Sequence, residues 1–219
     1  VAARKSDPGV ATAAPAAKKK SILREYSEAI VIAVTLALII RAFLVQAFSI
    51  PSGSMEPTLL IGDYLLVNKF IYGIRNPFTN KVLIPVENPE RGDIVVFIYP
   101  PDPDKDYIKR VVGIAGDKIH IIDKKLYIND QLVQTPQAVN TDQSLFNNPG
   151  DPPRDNFGPA VVPPDCLFVL GDNRDHSYDS RFWGFVPLSE LRGKAFIIYW
   201  SWNKKNLGVR WDRLGKLIH

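Results

Sequence analysis

The chain has 219 residues, 27 Lys and Arg against 23 Asp and Glu, and a net charge of +4; 46% of its residues are apolar. Those proportions exclude a disordered, collagen-like or coiled-coil chain, and 18 prolines and 14 glycines with 11% aromatics favour many short strands joined by turns over a helical bundle. One cysteine, Cys166, cannot close an intramolecular disulfide, and His120, His176 and His219 have no ligand spacing, so no metal is expected. Much of the small positive excess sits in an N-terminal tail, which argues against a nucleic-acid partner.

In chain order, residues 1–25 read as a basic flexible tail, with Arg4, Lys5, Lys18, Lys19 and Lys20 against Asp7 and with Pro8 and Pro15 opposing a helix. The twenty residues Ala29–Phe48 follow with one charge, Arg41. At about 1.5 Å per residue they reach roughly 30 Å, the thickness of a bilayer's hydrocarbon core. The reading is a transmembrane helix over residues 26–48, with Arg41 near enough to its end to snorkel. Ala47-Phe48-Ser49 is a poor cleavage site, so a removed leader fits less well. The basic run Lys18–Arg24 puts the N-terminus on the cytoplasmic or stromal side and residues 49–219 across the membrane, plasma or thylakoid.

Beyond the anchor the apolar runs are short and strand-like: Tyr64–Ile71, Ile94–Tyr99, Tyr107–Ile114, Lys118–Ile122, Leu126–Ile128, Cys166–Leu170 and Ala195–Trp200. They predict a mainly β domain. Gly-Asp recurs at Gly62-Asp63, Gly92-Asp93, Gly116-Asp117 and Gly171-Asp172, beside apolar runs, and reads as turn punctuation. Residues 117–164 form a small cap whose part from 134 to 164 carries seven prolines, too many for a core strand or helix; an exposed excursion or lid is expected. The C-terminal mixture of Trp200, Trp202 and Trp211 with Lys204, Lys205, Arg210, Arg213 and Lys216 suits either an anionic lipid surface or closure of the β domain.

Three segments hold candidate chemistry. Ser52-Gly53-Ser54, between Pro51 and Pro57, is a stiffened loop in which the Ser52 hydroxyl and the Ser54 amide can converge on one oxygen, as an oxyanion hole requires. Asp175-His176-Ser177 holds the residue types of a catalytic triad, but neighbours on an extended chain point apart. Lys109 and Arg110 interrupt an apolar strand, so one of them must face inward; a lysine there loses its proton more readily than an arginine, and a solvated edge lysine is the alternative. The run Gly171–Arg181 is dense in paired charges that suggest a shaped loop, and its acids lack the spacing of a calcium loop.

Together, Pro51–Leu59, Gly62-Asp63 with Asn68-Lys69, Arg91–Phe97, Tyr107–Asp117 and Gly171–Arg181 with Trp183-Gly184 resemble, in order, the type I signal peptidases. The resemblance runs from about Ala29 to Leu214 and implies a membrane-bound serine endopeptidase with a Ser-Lys dyad, a β-rich signal-peptidase-type fold and no cofactor. It implies Ser54 as nucleophile, Lys109 as general base, and Ser52 with the Ser54 amide as oxyanion hole. Ser177 would orient the lysine amine, Asp179 and Arg181 would form a supporting ion pair, and Ile50 and Ile108 would lie at shallow subsites that select Ala-x-Ala-like cleavage sites. Signal peptides of preproteins are the implied substrate, the lipid bilayer and a secretion translocon the implied surroundings. A single anchor and a short excursion are similar to Gram-positive, cyanobacterial and organellar members, and the lone Cys166 departs from members with a disulfide. A Ser-Lys autoprotease and a membrane-tethered binding domain with an idle dyad are the rival classes.

Overall fold

The computed structural model describes residues 22–75, 82–84 and 86–219, so the expected tail lies almost wholly outside the described residues. The chain divides into two units, Val1–Leu38 and Ile39–His219. Helix α1 spans Ile22–Phe43, and in the first unit it exposes Tyr26, Ile30, Val31, Ile32, Val34, Leu36 and Leu38. Every residue from 25 to 38 is exposed except the half-buried Glu28, so this stretch of the helix has no buried apolar face. Among the described residues, no helix is long and apolar enough to cross a membrane.

The second unit is mainly β. Its strands are β1 Val45–Ser49, β2 Asp63–Asn68, β3 Ile74–Arg75, β4 Val82–Ile84, β5 Ile94–Ile98, β6 Asp106–Gly113, β7 Lys118–Ile122, β8 Lys125–Ile128, β9 Gln131–Leu132, β10 Phe157–Val161, β11 Cys166–Leu170, β12 Val186–Pro187, β13 Leu191–Asn203 and β14 Gly208–Val209, with a one-turn helix α2 at Ser180–Trp183. Among the described residues, all pairings between these strands are antiparallel. The main sheet runs β1-β2-β13-β5-β6-β11-β12 with β14 on β13, a small sheet runs β10-β7-β8-β9, and β3 pairs with β4.

The strand β5, Ile-Val-Val-Phe-Ile, explains why the main sheet lacks polar alternation. Ile94 and Val96 pack with Met55, Leu59, Leu65, Val67 and Ile198, while Val95 and Phe97 pack on the other face with Val111, Val169 and Leu191. Both faces are covered, so both sets of alternate positions are apolar. A third cluster joins Ile119, Ile121, Leu126 and Ile128 of the small sheet to Val112, Phe168 and Leu170 of the main one.

Two boundaries differ from the sequence reading. The helix stops at Phe43 rather than Phe48, because Val45–Ser49 pair residue for residue with Asn68–Tyr64 and Phe48 packs on the core. An apolar run suits strand and helix equally, and the sheet edge decides. Within the Pro-rich excursion, Phe157–Val161 is a strand after all, but an edge strand against β7, bulged between Phe157 and Ala160, where Pro159 costs no ladder bond.

Candidate active site

Pro51 ends the extended segment after β1, and Gly53–Met55 forms a single tight helical turn that buries Met55 in the core and brings Ser54 with it. From the other side comes β6, whose register Val95↔Lys109 and Ile94↔Arg110 fixes both cations against β5. Lys109 Nζ donates to Ser54 Oγ at 2.8 Å and to the Ile108 carbonyl at 3.0 Å. The Tyr107 ring stands 5.3 Å from the amine. Lys109 is 4% exposed and Ser54 8%, and this burial brings the lysine down from 10.5 to about 8, with the Asp179 carboxylate opposing the shift.

Neighbours on a strand project to opposite sides, and here both sides are covered. Arg110, 2% exposed, grips Asp172 through Nε and Nη2 at 2.8 and 2.7 Å and gives Nη1 to the Gly92 carbonyl. Asp172 also accepts from the Thr58 hydroxyl at 2.6 Å, so one carboxylate ties the loop of Ser54 to the strand of Lys109. The next residue tightens the same joint: Asn173 N–H donates to the Ser54 carbonyl at 3.1 Å, and its Nδ2 reaches the Gly53 carbonyl at 3.4 Å. Arg213 holds the far end of that loop, donating to the Thr58 carbonyl and to buried Asp63. Asp179 and Arg181 form a buried bidentate pair at 2.8 and 2.9 Å; Arg181 also donates to the carbonyls of Arg154 and Arg174, and Asp179 accepts from the Gly171 amide.

Ser54 and Lys109 lie in a cleft of about 790 Å³, bordered further by Ser52, Glu56, Tyr107, Ile108, Asn173 and Tyr178. An apolar cleft with a buried serine hydroxyl on a desolvated amine suits acyl transfer. The family profile described as "Signal peptidase, peptidase S26" matches residues 23–200. The chain belongs to this signal peptidase family. It is therefore a serine peptidase, a hydrolase, of a family whose signal peptidase I members remove signal peptides. Signal peptidase I of Pseudomonas fluorescens is 39% identical over 223 aligned residues, covering 86% of this chain and 76% of its own. The probable signal peptidase I-2 of a Synechocystis species is 40% identical and covers 80% of this chain and 72% of its own. A crystal structure of a signal peptidase I from Enterococcus faecalis has a TM-score of 0.40 at 28% identity, covering 49% of this chain and 97% of that one.

Not every residue expected of a signal peptidase lies where the sequence put it. Ser52, Ser54, Ile108 and Lys109 border one cleft. Ile50 does not: it is 3% exposed in the core, because its N–H and C=O pair with Asp63 and Gly62 and turn the side chain toward Leu65 and Ile198, with Ile108 packed on the same cluster. Ser177 makes no hydrogen bond to the amine. Its Oγ is buried without a hydrogen-bond partner, packed where a Gly171 side chain would be, while Lys109 is held by Ser54 and Ile108. His176 donates to or accepts from Thr141 Oγ1 at 2.9 Å rather than from a serine of a triad. The sequence reading held Asn173 and Thr58 within its motifs but gave neither a role, and it missed Thr141. Its reading of Gly-Asp as turn punctuation holds at Asp63, Asp93 and Asp117, whose amides close turns on Leu60, Glu90 and Ile114, but it gave these three no partner, and they are buried and paired with Arg213, Lys194 and Arg91; Asp172, read within a charge network, is paired with Arg110. Four repeats of one acid beside a buried strand, in a chain with an excess of cations, was the available signal.

Proposed function

We propose that the chain cleaves N-terminal signal peptides from exported preproteins at Ala-x-Ala-like sites through an acyl-enzyme on Ser54, with Lys109 as general base. The observation that carries this reading is the 2.8 Å contact between Lys109 Nζ and Ser54 Oγ in a site where burial brings the amine to about 8. At pH 7 roughly one lysine in ten is then neutral, against about one in three thousand for an amine at 10.5. Neutral Lys109 takes the Ser54 proton as Oγ bonds to the substrate carbonyl carbon. The Ser54 amide and the Ser52 hydroxyl, on the same turn at the cleft, receive the oxygen charge that develops. The C–N bond breaks as the lysine returns the proton to the leaving amine, and water activated by the same lysine hydrolyses the ester. Ile108 and Tyr107 narrow the cleft and favour small residues before the scissile bond.

The membrane part of the reading rests on the apolar stretch of α1 from Ala29 to Phe43 and on the exposed apolar residues between Tyr26 and Leu38, which fit a helix solvated by lipid with a cytoplasmic or stromal N-terminus. Ser54 follows Phe43 by eleven residues, a short tether to the surface where a signal peptide emerges. Exposed Tyr199, Trp200, Leu207 and Trp211 among lysines and arginines suit the same interface.

Incubating the purified protein in detergent with a labelled Ala-x-Ala precursor tests the reading. Ser54→Ala and Lys109→Ala each lower cleavage at least 10³-fold; full activity in Lys109→Ala rejects the dyad.

A further inference from the structure

Residues 139–142 of the Pro-rich excursion run beside residues 172–175 as a short parallel strap. Val139 N–H donates to the Asp172 carbonyl at 2.8 Å, Arg174 N–H to the Val139 carbonyl at 2.9 Å, and Asp142 N–H to Asp175 Oδ2 at 2.8 Å. The strap carries Thr141 to the cleft, where its hydroxyl meets His176 Nδ1. Thr141 and His176 are thus a hydrogen-bonded polar edge of the cleft that holds Ser54 and Lys109, yet neither bonds to either of those side chains.

A charged latch behind the strap fixes that edge. Arg154, 8% exposed, donates to Asp155 twice at 2.8 Å, to Asp142 at 2.7 Å and to the Ser144 carbonyl at 3.0 Å, and lies 3.8 Å from Asp175. Its guanidinium covers the Phe146 ring at 3.9 Å, and its carbonyl accepts from Arg181. Lys124 spans the same two strands of chain, 2.6 Å from the Asp142 carbonyl and 3.0 Å from Asp175. Such an array is far more than a surface loop requires, and it joins the strap, the turn Arg174–His176 and the Asp179–Arg181 pair into one body.

We propose that Thr141 and His176 are substrate-contacting residues that bind the extended peptide beside its scissile bond, and that Arg154 is a positioning residue that sets this wall. The inference rests on the peptidase reading above. Because the wall touches neither reacting side chain, its loss weakens peptide binding and leaves the proton transfer alone, so KM moves and kcat does not.

The test uses the full chain in detergent and an Ala-x-Ala signal-peptide fragment carrying a fluorophore. In a Ser54→Ala background, Thr141→Ala and Arg154→Met each weaken binding by about three- to tenfold, the range of one or two net hydrogen bonds. Adding Thr141→Ala to Arg154→Met gives less than a further twofold, and Arg154→Lys restores part of the affinity. With Ser54 present, KM rises by the same factor, kcat stays within twofold, and the pH at half-maximal kcat/KM is unchanged. Binding within twofold of the parent in Thr141→Ala overturns the proposal even if Arg154→Met fails to fold, as does a fall in kcat at constant KM. Failure of the dyad reads differently: Lys109→Ala would still cleave while peptide affinity tracked the wall.

Discussion

Lys109 is a buried cation with no carboxylate in direct contact among the described residues, and that single circumstance sets both its proposed reactivity and its cost. The activity of the wild-type protein should rise with pH along a limb centred near 8, because only the neutral amine accepts the Ser54 proton. A pH series of kcat/KM on the labelled precursor measures it; a flat profile between pH 5 and 9 would remove the lysine from the mechanism. The same shift has a stability consequence. Between pH 8 and 10.5 the unfolded chain binds one more proton than the folded one, so Lys109 makes stability rise with pH there, and below 8 the folded state carries the full penalty. Lys109→Met should therefore be inactive yet more stable at pH 7, by up to about 3 kcal/mol. Urea unfolding of both proteins at pH 7 and pH 10 checks this, with the gain shrinking at the higher pH. Gly171 offers a steric counterpart. A methyl group there would overlap Ser177 Oγ and the Ser54 carbonyl, so Gly171→Ala should cut kcat at least tenfold through displacement of the Ser54 turn.

Among the elements, β1 is where a local reading of the chain goes astray. Val45–Ser49 continues the apolar run of α1, but five register pairs with β2 make it the edge of the main sheet. A protein beginning at Leu44 should fold as the full chain does, whereas one beginning at Ile50 should lose several degrees of Tm and expose β2; thermal unfolding of the two truncations separates them. The central strands β5 and β11 were legible because they are short apolar runs set beside Gly-Asp, whereas β13 is thirteen residues long and only its apolar middle, Ala195–Trp200, stood out in the sequence. The serine turn and the lysine were legible as residue types, and the resemblance in their order linked them. What composition and spacing could not reveal is partnership at long separation. Thr58 with Asp172 and Asp63 with Arg213 bring together residues more than a hundred positions apart, and a Gly-Asp dipeptide looks the same in an open turn as in such a hub. Since Arg110 keeps a buried charge when Asp172 is neutralised, Asp172→Asn should cost about 3–5 kcal/mol in chemical denaturation.

For the whole molecule, the proposal joins an apolar helix, a β-rich peptidase unit and an aromatic, cationic C-terminal region to one membrane-surface task. An apolar helix held in lipid confers firm attachment, so on this proposal the full chain should remain with vesicles through alkaline extraction, while a protein lacking residues 1–43 should bind anionic vesicles weakly and be released by salt. The central claim, however, concerns one proton. Direct titration of the Lys109 side chain by NMR, with labelled lysine and Lys109→Arg as the assignment control, should give a midpoint within a unit of 8 that matches the rising limb of kcat/KM. A midpoint at 10 or above, with cleavage undiminished at neutral pH, would contradict the account.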